Sequence, residues 1–139
     1  MRIRSSLVFS AIVVAVLGAQ TKPTLKHVPL SPTSPASGKE MFATYCAVCH
    51  GSDGKGAGPA AVALKNRPTD LTQLAAKSGG KYPGFLVTET LSGKAVAAHG
   101  SKEMPVWGDL FRAMENGDNT FIQLRLVNLT SYVESIQAK

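Results

Sequence analysis

The chain is poor in residues that hold metal ions or build disulfide frameworks: its 139 residues include two cysteines and three histidines. Both cysteines, Cys46 and Cys49, lie in one short motif that His50 completes. A structural zinc site takes four ligands, and neither His27 nor His99 stands at the spacing of a zinc finger. A disulfide between the two cysteines would close a very small loop and leave His50 unexplained. These shortages disfavour both a zinc domain and a disulfide-stabilised one.

The part of the sequence that follows residue 36 carries little net charge. The formal charge of the whole sequence is +6. Removing the first 36 residues, which contain Arg2, Arg4, Lys22 and Lys26, leaves eleven Lys and Arg against nine Asp and Glu, a net charge of +2. The sequence has no basic cluster interleaved with aromatic residues, so it gives no support for nucleic-acid binding.

No apolar run reaches the roughly 20 residues that span a bilayer comfortably. The N-terminus has Arg2 and Arg4, followed by residues 7–18, which are apolar apart from Ser10. This layout is typical of a secretory signal peptide, which we assign to residues 1–19, with an uncleaved membrane anchor as the alternative. We therefore expect a periplasmic or other extracytoplasmic location, with a possible membrane tether.

Residues 20–36 carry four prolines among Ser, Thr and Lys. Such a segment cannot bury a core, so we predict an extended linker there, and His27 within it is given no role. The globular domain is predicted to cover residues 37–139, a normal length for one domain.

The motif Cys46-Ala47-Val48-Cys49-His50 is the most informative part of the sequence. Residues i and i+3 share a helical face, so both thiols can reach the two vinyl groups of one haem and form thioethers, with His50 as the proximal iron ligand. A thioredoxin-like thiol pair would need a βαβ context, which the Gly- and Ala-rich neighbourhood lacks. We therefore predict one covalently bound haem c, which in bacteria is attached outside the cytoplasm.

Aromatic residues make up 6% of the sequence, with a single tryptophan, so the apolar core is thin. A covalently held haem would supply much of the missing buried surface. We predict that the chain without haem is poorly folded, as is usual for a small scaffold that depends on a staple.

Met104 is the predicted distal iron ligand. It stands in a predicted loop before Pro105, which disfavours the α region for the residue that precedes it. The alternatives are a methionine that fills a gap in the core, and His99 as the distal ligand, which would lower the reduction potential. Met41 lies too close to the haem motif on its own helix, and Met114 falls in a helix predicted over 109–116, where it is assigned to the core.

The remaining pattern predicts helices joined by glycine-rich turns. Ser37 and Glu40 have the spacing of a capping box at the start of the first helix. The glycine-rich residues 51–58 lack the strand and the Gly-Lys-Ser/Thr ending of a phosphate loop, and we expect them to turn sharply or to lie close to a flat cofactor. Thr69 or Asp70 is predicted to cap a short helix that ends at Gly79 and Gly80. For residues 85–91, a helix and an extended piece both remain open.

The last element is predicted to be an amphipathic helix. Thr120 and Gln123 fit a second capping box. One apolar stripe follows at helical spacing, formed by Ile122, Leu126, Leu129, Val133 and Ile136. Packing this stripe against Gly38 and Phe42 of the first helix would close the domain.

Five stretches together resemble the class I c-type cytochromes. They are Gly38-Lys39-Glu40-Met41-Phe42, the Cys46 to His50 motif, Gly58-Pro59, Met104-Pro105-Val106-Trp107-Gly108 and Leu129-x-x-Tyr132-Val133. The resemblance implies an all-α, cytochrome c-like fold of three to five helices around one covalently attached haem.

The same resemblance implies specific contacts. The first and last helices would cross at Gly38, Phe42 and Tyr132. The carbonyl of Pro59 would accept a hydrogen bond from the ring of His50, which orients the ligand and raises its basicity. Trp107 and Arg67 are candidates for holding the haem propionates.

The function implied by this resemblance is one-electron transfer rather than catalysis. His50 and Met104 would occupy both axial iron positions, so that no small-molecule substrate reaches the metal, and the partners would be membrane or periplasmic redox proteins. Three alternatives stay open: an electron-transfer subunit of a larger respiratory or dehydrogenase complex, a ligand-binding haem protein with an open iron site, and a haem-free thiol protein.

Overall fold

The computed structural model describes residues 32–94 and 104–139. Within these ranges the chain forms helices and turns and no strand, which confirms the predicted all-α class. None of the helices in the described ranges combines the length and the apolar character needed to cross a membrane. The predicted signal peptide, most of the predicted linker, His27 and His99 lie outside the described residues.

The first helical stretch contains a π-helical segment that the sequence pattern did not predict. Helix α1 (Gly38–Met41) runs into a π-helical segment (Phe42–Cys46), which continues as α2 (Ala47–His50). Ser37 caps α1, since its Oγ accepts a hydrogen bond of 3.2 Å from the Glu40 amide. The reciprocal half of the predicted capping box is not formed, because the Glu40 carboxylate accepts instead from the amide of Ser34 at 3.3 Å.

The middle of the chain is built from short helices. Two 3₁₀ turns, Ala61–Ala63 and Leu71–Gln73, are followed by α3 (Leu74–Lys77) and α4 (Gly84–Leu91). Asp70 is the predicted cap, and its carboxylate accepts from the Thr72 amide at 2.9 Å. Gly79 and Gly80 follow α3 with positive φ angles, as expected for residues that end a helix. The choice left open for residues 85–91 is settled as a helix.

Two helices complete the chain, α5 (Trp107–Met114), which is as long as α4, and the longer α6 (Asn119–Ser135). The predicted capping box at Thr120 is wrong. Asp118 caps α6 instead, with its carboxylate accepting from the Thr120 amide at 2.8 Å. The reason is the tight turn at Asn116 and Gly117, which both have positive φ, so the chain is ready to enter the helix two residues early.

Helices α1 and α6 cross at the predicted position. A Cβ atom added to Gly38 would overlap the carbonyl oxygen of Asn128, so only glycine permits this approach. Beside the crossing, the rings of Phe42 and Tyr132 lie 5.1 Å apart between centroids. The apolar stripe of α6 faces the core as expected, with Ile136 half-buried just beyond the helix and the other members buried: Ile122, Leu126, Leu129 and Val133.

The folded domain begins before the predicted boundary at residue 37. Thr33 is buried, and the guanidinium of Arg125 donates to its hydroxyl at 2.9 Å and to its carbonyl at 2.8 Å. The Asn128 amide donates to the carbonyl of Pro35 at 2.9 Å. We call residues 33–36 the N-terminal arm. The prolines and polar residues of the arm predict a linker, because they offer little apolar surface. The arm nevertheless supplies acceptors that a buried guanidinium needs.

Candidate functional site

A cavity of about 380 Å³ lies in the middle of the domain, and its lining is mainly apolar. We call the lining residues within 46–50 and 66–74 the proximal wall of this cavity, and the lining residues within α4 and 104–107 its distal wall. The structure brings four of the predicted site residues to this cavity, namely Cys46, Cys49, His50 and Met104.

His50 is buried in the proximal wall, and its orientation is fixed by a carbonyl. Its Nδ1 lies 2.9 Å from the oxygen of Thr69. A carbonyl oxygen can only accept a hydrogen bond, so Nδ1 carries the proton and Nε2 keeps its lone pair. Burial lowers the pKa of His50, against the smaller opposite effect of the Thr69 bond. The ring is therefore held as a neutral imidazole, the form that binds a metal.

The carbonyl at His50 corrects the prediction for Pro59. The Asp70 cap turns the chain so that Thr69 faces the imidazole, while Pro59 is not among the residues that line the cavity. Pro59 belongs instead to a loop that returns to α2, where the amides of Gly58 and Ala60 donate to the carbonyls of Cys49 and Val48 at 3.0 and 2.9 Å.

The glycine-rich loop packs on the haem motif itself. A Cβ atom on Gly58 would lie 2.5 Å from the carbonyl oxygens of both Ala47 and Val48. Gly58 thus permits a close approach to the backbone of α2, which a side chain at this position would prevent.

The two cysteines are free thiols in different surroundings. Cys46 is buried, and burial, followed by the nearby Cys49, raises its pKa to about 12. Redox-active cysteines are recognised by a lowered pKa and by exposure. The environment of Cys46 is the reverse of that pattern, so it argues against the thiol-protein alternative.

Met104 and Trp107 lie on the distal side of the cavity. Met104 is half-buried and packs against the core. Trp107 is buried, with its ring centroid 5.3 Å from that of Tyr45 and 6.0 Å from that of Phe111. Arg67, the other residue suggested for the propionates, is exposed and also lines the cavity.

Some residues support the cavity walls without lining the cavity, and the sequence did not predict them. Gln137 is the clearest case. Its side-chain amide donates to the carbonyls of Leu71 and Val133 at 2.7 and 2.8 Å, and its oxygen accepts from the Ala75 amide at 2.9 Å. Gln137 therefore ties the proximal wall to the end of α6. A glutamine just after a helix carries no sequence signal for this role.

The donor set fits haem c. Two thiols, an imidazole with a free Nε2 and a thioether share an apolar cavity, and imidazole and thioether are the axial ligands found in cytochromes c. Within residues 32–94 and 104–139, no group of three or more His, Cys, Asp and Glu side chains is arranged to hold a bare metal ion.

An all-helical domain with this motif and this cavity is a c-type cytochrome domain. The family model for cytochrome c oxidase, cbb3-type, subunit III, matches residues 33–116, and the chain belongs to this family. The match begins at Thr33, the residue whose carbonyl accepts a hydrogen bond from Arg125. Comparisons with curated proteins and with solved structures find no match.

Proposed function

We propose that the chain is a monohaem c-type cytochrome that carries single electrons between redox proteins outside the cytoplasm. The observation that carries the proposal is the convergence of Cys46, Cys49, His50 and Met104 on one apolar cavity. Haem c, when bound, supplies an iron that takes up and releases one electron.

The residues of the chain have distinct roles in this proposal. The thiols of Cys46 and Cys49 hold the group by thioether bonds. His50 binds the iron through Nε2, while the Thr69 carbonyl keeps the imidazole from rotating. Met104 would supply the second protein ligand from the distal wall. With the imidazole and the thioether both holding the iron, the residues around the cavity would keep their partners during a redox cycle, and no small-molecule substrate would bind the metal.

The test of covalent attachment uses protein secreted by a host that matures c-type cytochromes. We expect the intact mass to exceed that of the polypeptide by one haem, and haem staining to persist on a denaturing gel. The double variant Cys46→Ser/Cys49→Ser should lose the stain, whereas the matched control Met104→Leu should keep it. Secreted wild-type protein that is colourless and has the mass of the bare polypeptide would refute the proposal.

The axial ligands are tested by spectroscopy. The reduced protein should show sharp low-spin bands, and the oxidised protein a weak sulfur-to-iron band. Carbon monoxide should not bind the reduced native protein, because Met104 occupies the distal position. Ready binding of carbon monoxide would instead favour the ligand-binding alternative with an open iron site.

A second candidate function is that of an electron-transfer subunit in a larger respiratory complex. It is favoured by the description of the matching family as an oxidase subunit. The predicted N-terminal apolar segment would then act as a tether. Extraction of membranes in mild detergent, followed by measurement of the native mass, distinguishes a free carrier from a subunit. A free carrier has the mass of one chain, whereas a subunit has the mass of a complex with other proteins.

A further inference from the structure

The N-terminal arm reaches the wall of the cavity through a continuous chain of hydrogen bonds. Arg125, on α6, is almost fully buried and donates to Thr33 at both the hydroxyl and the carbonyl. The Thr33 hydroxyl lies 2.9 Å from the hydroxyl of Tyr45. The Tyr45 hydroxyl in turn donates to the sulfur of Met114 at 4.0 Å. Tyr45 lines the cavity, so Thr33 is connected to the site indirectly, through the Tyr45 hydroxyl.

The direction of the first bond is fixed, because a guanidinium can only donate and Thr33 Oγ1 therefore accepts from Arg125. Between the hydroxyls of Thr33 and Tyr45 either oxygen can donate, because each group carries one proton and two lone pairs. The positive charge of Arg125 strengthens the first bond and polarises the next, as in other buried networks.

Tyr45 passes this constraint to the distal wall. Its ring lies against Trp107 and Phe111, with centroids 5.3 and 6.1 Å away. Two further contacts hold Arg125 in place. Its Nε donates to Glu115 at 2.6 Å, and its guanidinium lies 5.6 Å from the centre of the Phe111 ring. The arm, α5 and α6 therefore all contact the buried guanidinium of Arg125. The positions of the Tyr45 and Trp107 rings, which line the cavity, depend on these contacts.

We propose that Thr33 and Arg125 are positioning residues for the haem site, which couple the N-terminal arm to the Tyr45–Trp107 wall of the cavity. The inference rests on the proposed haem function. With Thr33 in place, Tyr45 is held and its wall excludes water. Without the hydroxyl, Tyr45 loses a partner and the wall loosens, which lets water approach the cavity and favours the more highly charged ferric state.

The test compares three variants of the full secreted protein. Thr33→Val removes the hydroxyl at nearly constant shape, and Thr33→Ser retains it. Asn128→Ala is the matched control, because it removes the other arm contact, to Pro35, and leaves the chain from Arg125 to Tyr45 intact. The measurements are the reduction midpoint potential, the thermal stability and the NMR signal of the Trp107 indole N–H, which belongs to the single tryptophan of the sequence.

We expect Thr33→Val to lower the midpoint potential and shift the Trp107 signal, Thr33→Ser to restore both, and Asn128→Ala to lower stability alone. The inference is overturned if Thr33→Val leaves the potential and the Trp107 signal at wild-type values, or if Asn128→Ala changes them equally. Haem staining of each variant separates this result from a failure of the proposed function. If the wild type carries no haem, the Trp107 signals of the three variants alone decide the coupling.

Discussion

The proximal and distal walls of the cavity are held by different forces. The proximal wall is fixed by hydrogen bonds: Thr69 holds the imidazole of His50, Gln137 ties the wall to α6, and the loop at Gly58 is bonded to α2. The distal wall is fixed chiefly by packing, with Met104 against the core and Trp107 against the rings of Tyr45 and Phe111.

This difference matters because hydrogen bonds fix direction, whereas apolar packing tolerates changes of similar volume. The imidazole is locked in one orientation, as a permanent ligand should be. The distal wall can accept an exchange of side chain with little loss of stability. We therefore expect substitutions in the proximal wall to unfold the protein, and substitutions in the distal wall to change its chemistry while the fold survives.

The largest expected effect comes from comparing glycines beside the two walls. Gly58→Ala places a methyl group against the backbone of α2, and we expect a loss of roughly 3 kcal/mol in the free energy of unfolding. Gly84→Ala, at the start of α4, meets the Tyr82 ring at an ordinary 3.4 Å and should be neutral or stabilising by up to about 1 kcal/mol. Denaturant unfolding of both variants measures the contrast, and equal losses would contradict it.

The next largest effect is expected at Gln137. Gln137→Ala removes three hydrogen bonds, and we expect a loss of about 2 kcal/mol in unfolding free energy. Hydrogen exchange of the Ala75 amide, which loses its acceptor, should become faster. Gln123→Ala, which removes an exposed glutamine on α6, is the control and should change stability by less than about 0.5 kcal/mol. Unchanged exchange at Ala75 would show that Gln137 does not hold this wall.

Met104→Leu tests the distal wall. Leucine has a similar volume, so we expect a stability change below about 1.5 kcal/mol. The weak sulfur-to-iron band of the oxidised protein should disappear, because leucine has no donor atom. Met114→Leu is the matched control, since Met114 is also a half-buried methionine packed on the core, and it should keep the band. Persistence of the band in Met104→Leu would remove Met104 from the iron.

The smallest effect concerns pH and falls on Tyr82, beside α4. Burial, with the charge of Glu134 as a smaller cause, raises the pKa of Tyr82 above its ordinary value of 10.0. The folded state thus favours the protonated phenol, whose hydroxyl donates to the Thr130 carbonyl at 3.0 Å. This contribution is complete below the unfolded pKa and is lost as the pH rises above about 10 toward the folded pKa.

The measurement is the free energy of unfolding from about pH 8 to about pH 11, which brackets the unfolded tyrosine pKa. Wild type should lose stability more steeply at the alkaline end than Tyr82→Phe, which has no phenol to ionise. Parallel curves for the two proteins would exclude Tyr82 as the cause.

The sequence predicted the fold well where one local pattern decides the outcome. Gly38 indicated the crossing with α6, the apolar stripe from Ile122 to Val133 indicated the buried face, and Asp70 indicated a cap. Each of these depends on a short-range rule of helix geometry or on a single steric requirement. Met104 was indicated as the partner of the haem motif by its position in a predicted loop before Pro105, and the family resemblance agreed with this.

The parts that could not be predicted depend on contacts between distant residues. Thr69 rather than Pro59 faces His50 because a cap eleven residues beyond Pro59 sets the path of the chain. Arg125 and Thr33 are 92 positions apart, and neither shows in isolation that a buried cation would recruit a threonine from a proline-rich segment. The π-helical segment also escaped prediction, since hydrophobic spacing over five residues does not distinguish it from an α-helix.

Because Thr33 is held in the folded domain, the number of residues before it limits how far the domain can lie from a membrane anchor. Thirteen residues, 20–32, separate the predicted signal or anchor from the arm, and at full extension they reach roughly 45 Å. If residues 1–19 remain in a bilayer, the arm can lie no farther than that from the lipid. Deleting or doubling those thirteen residues would then change which proteins the domain can meet, without altering the haem pocket.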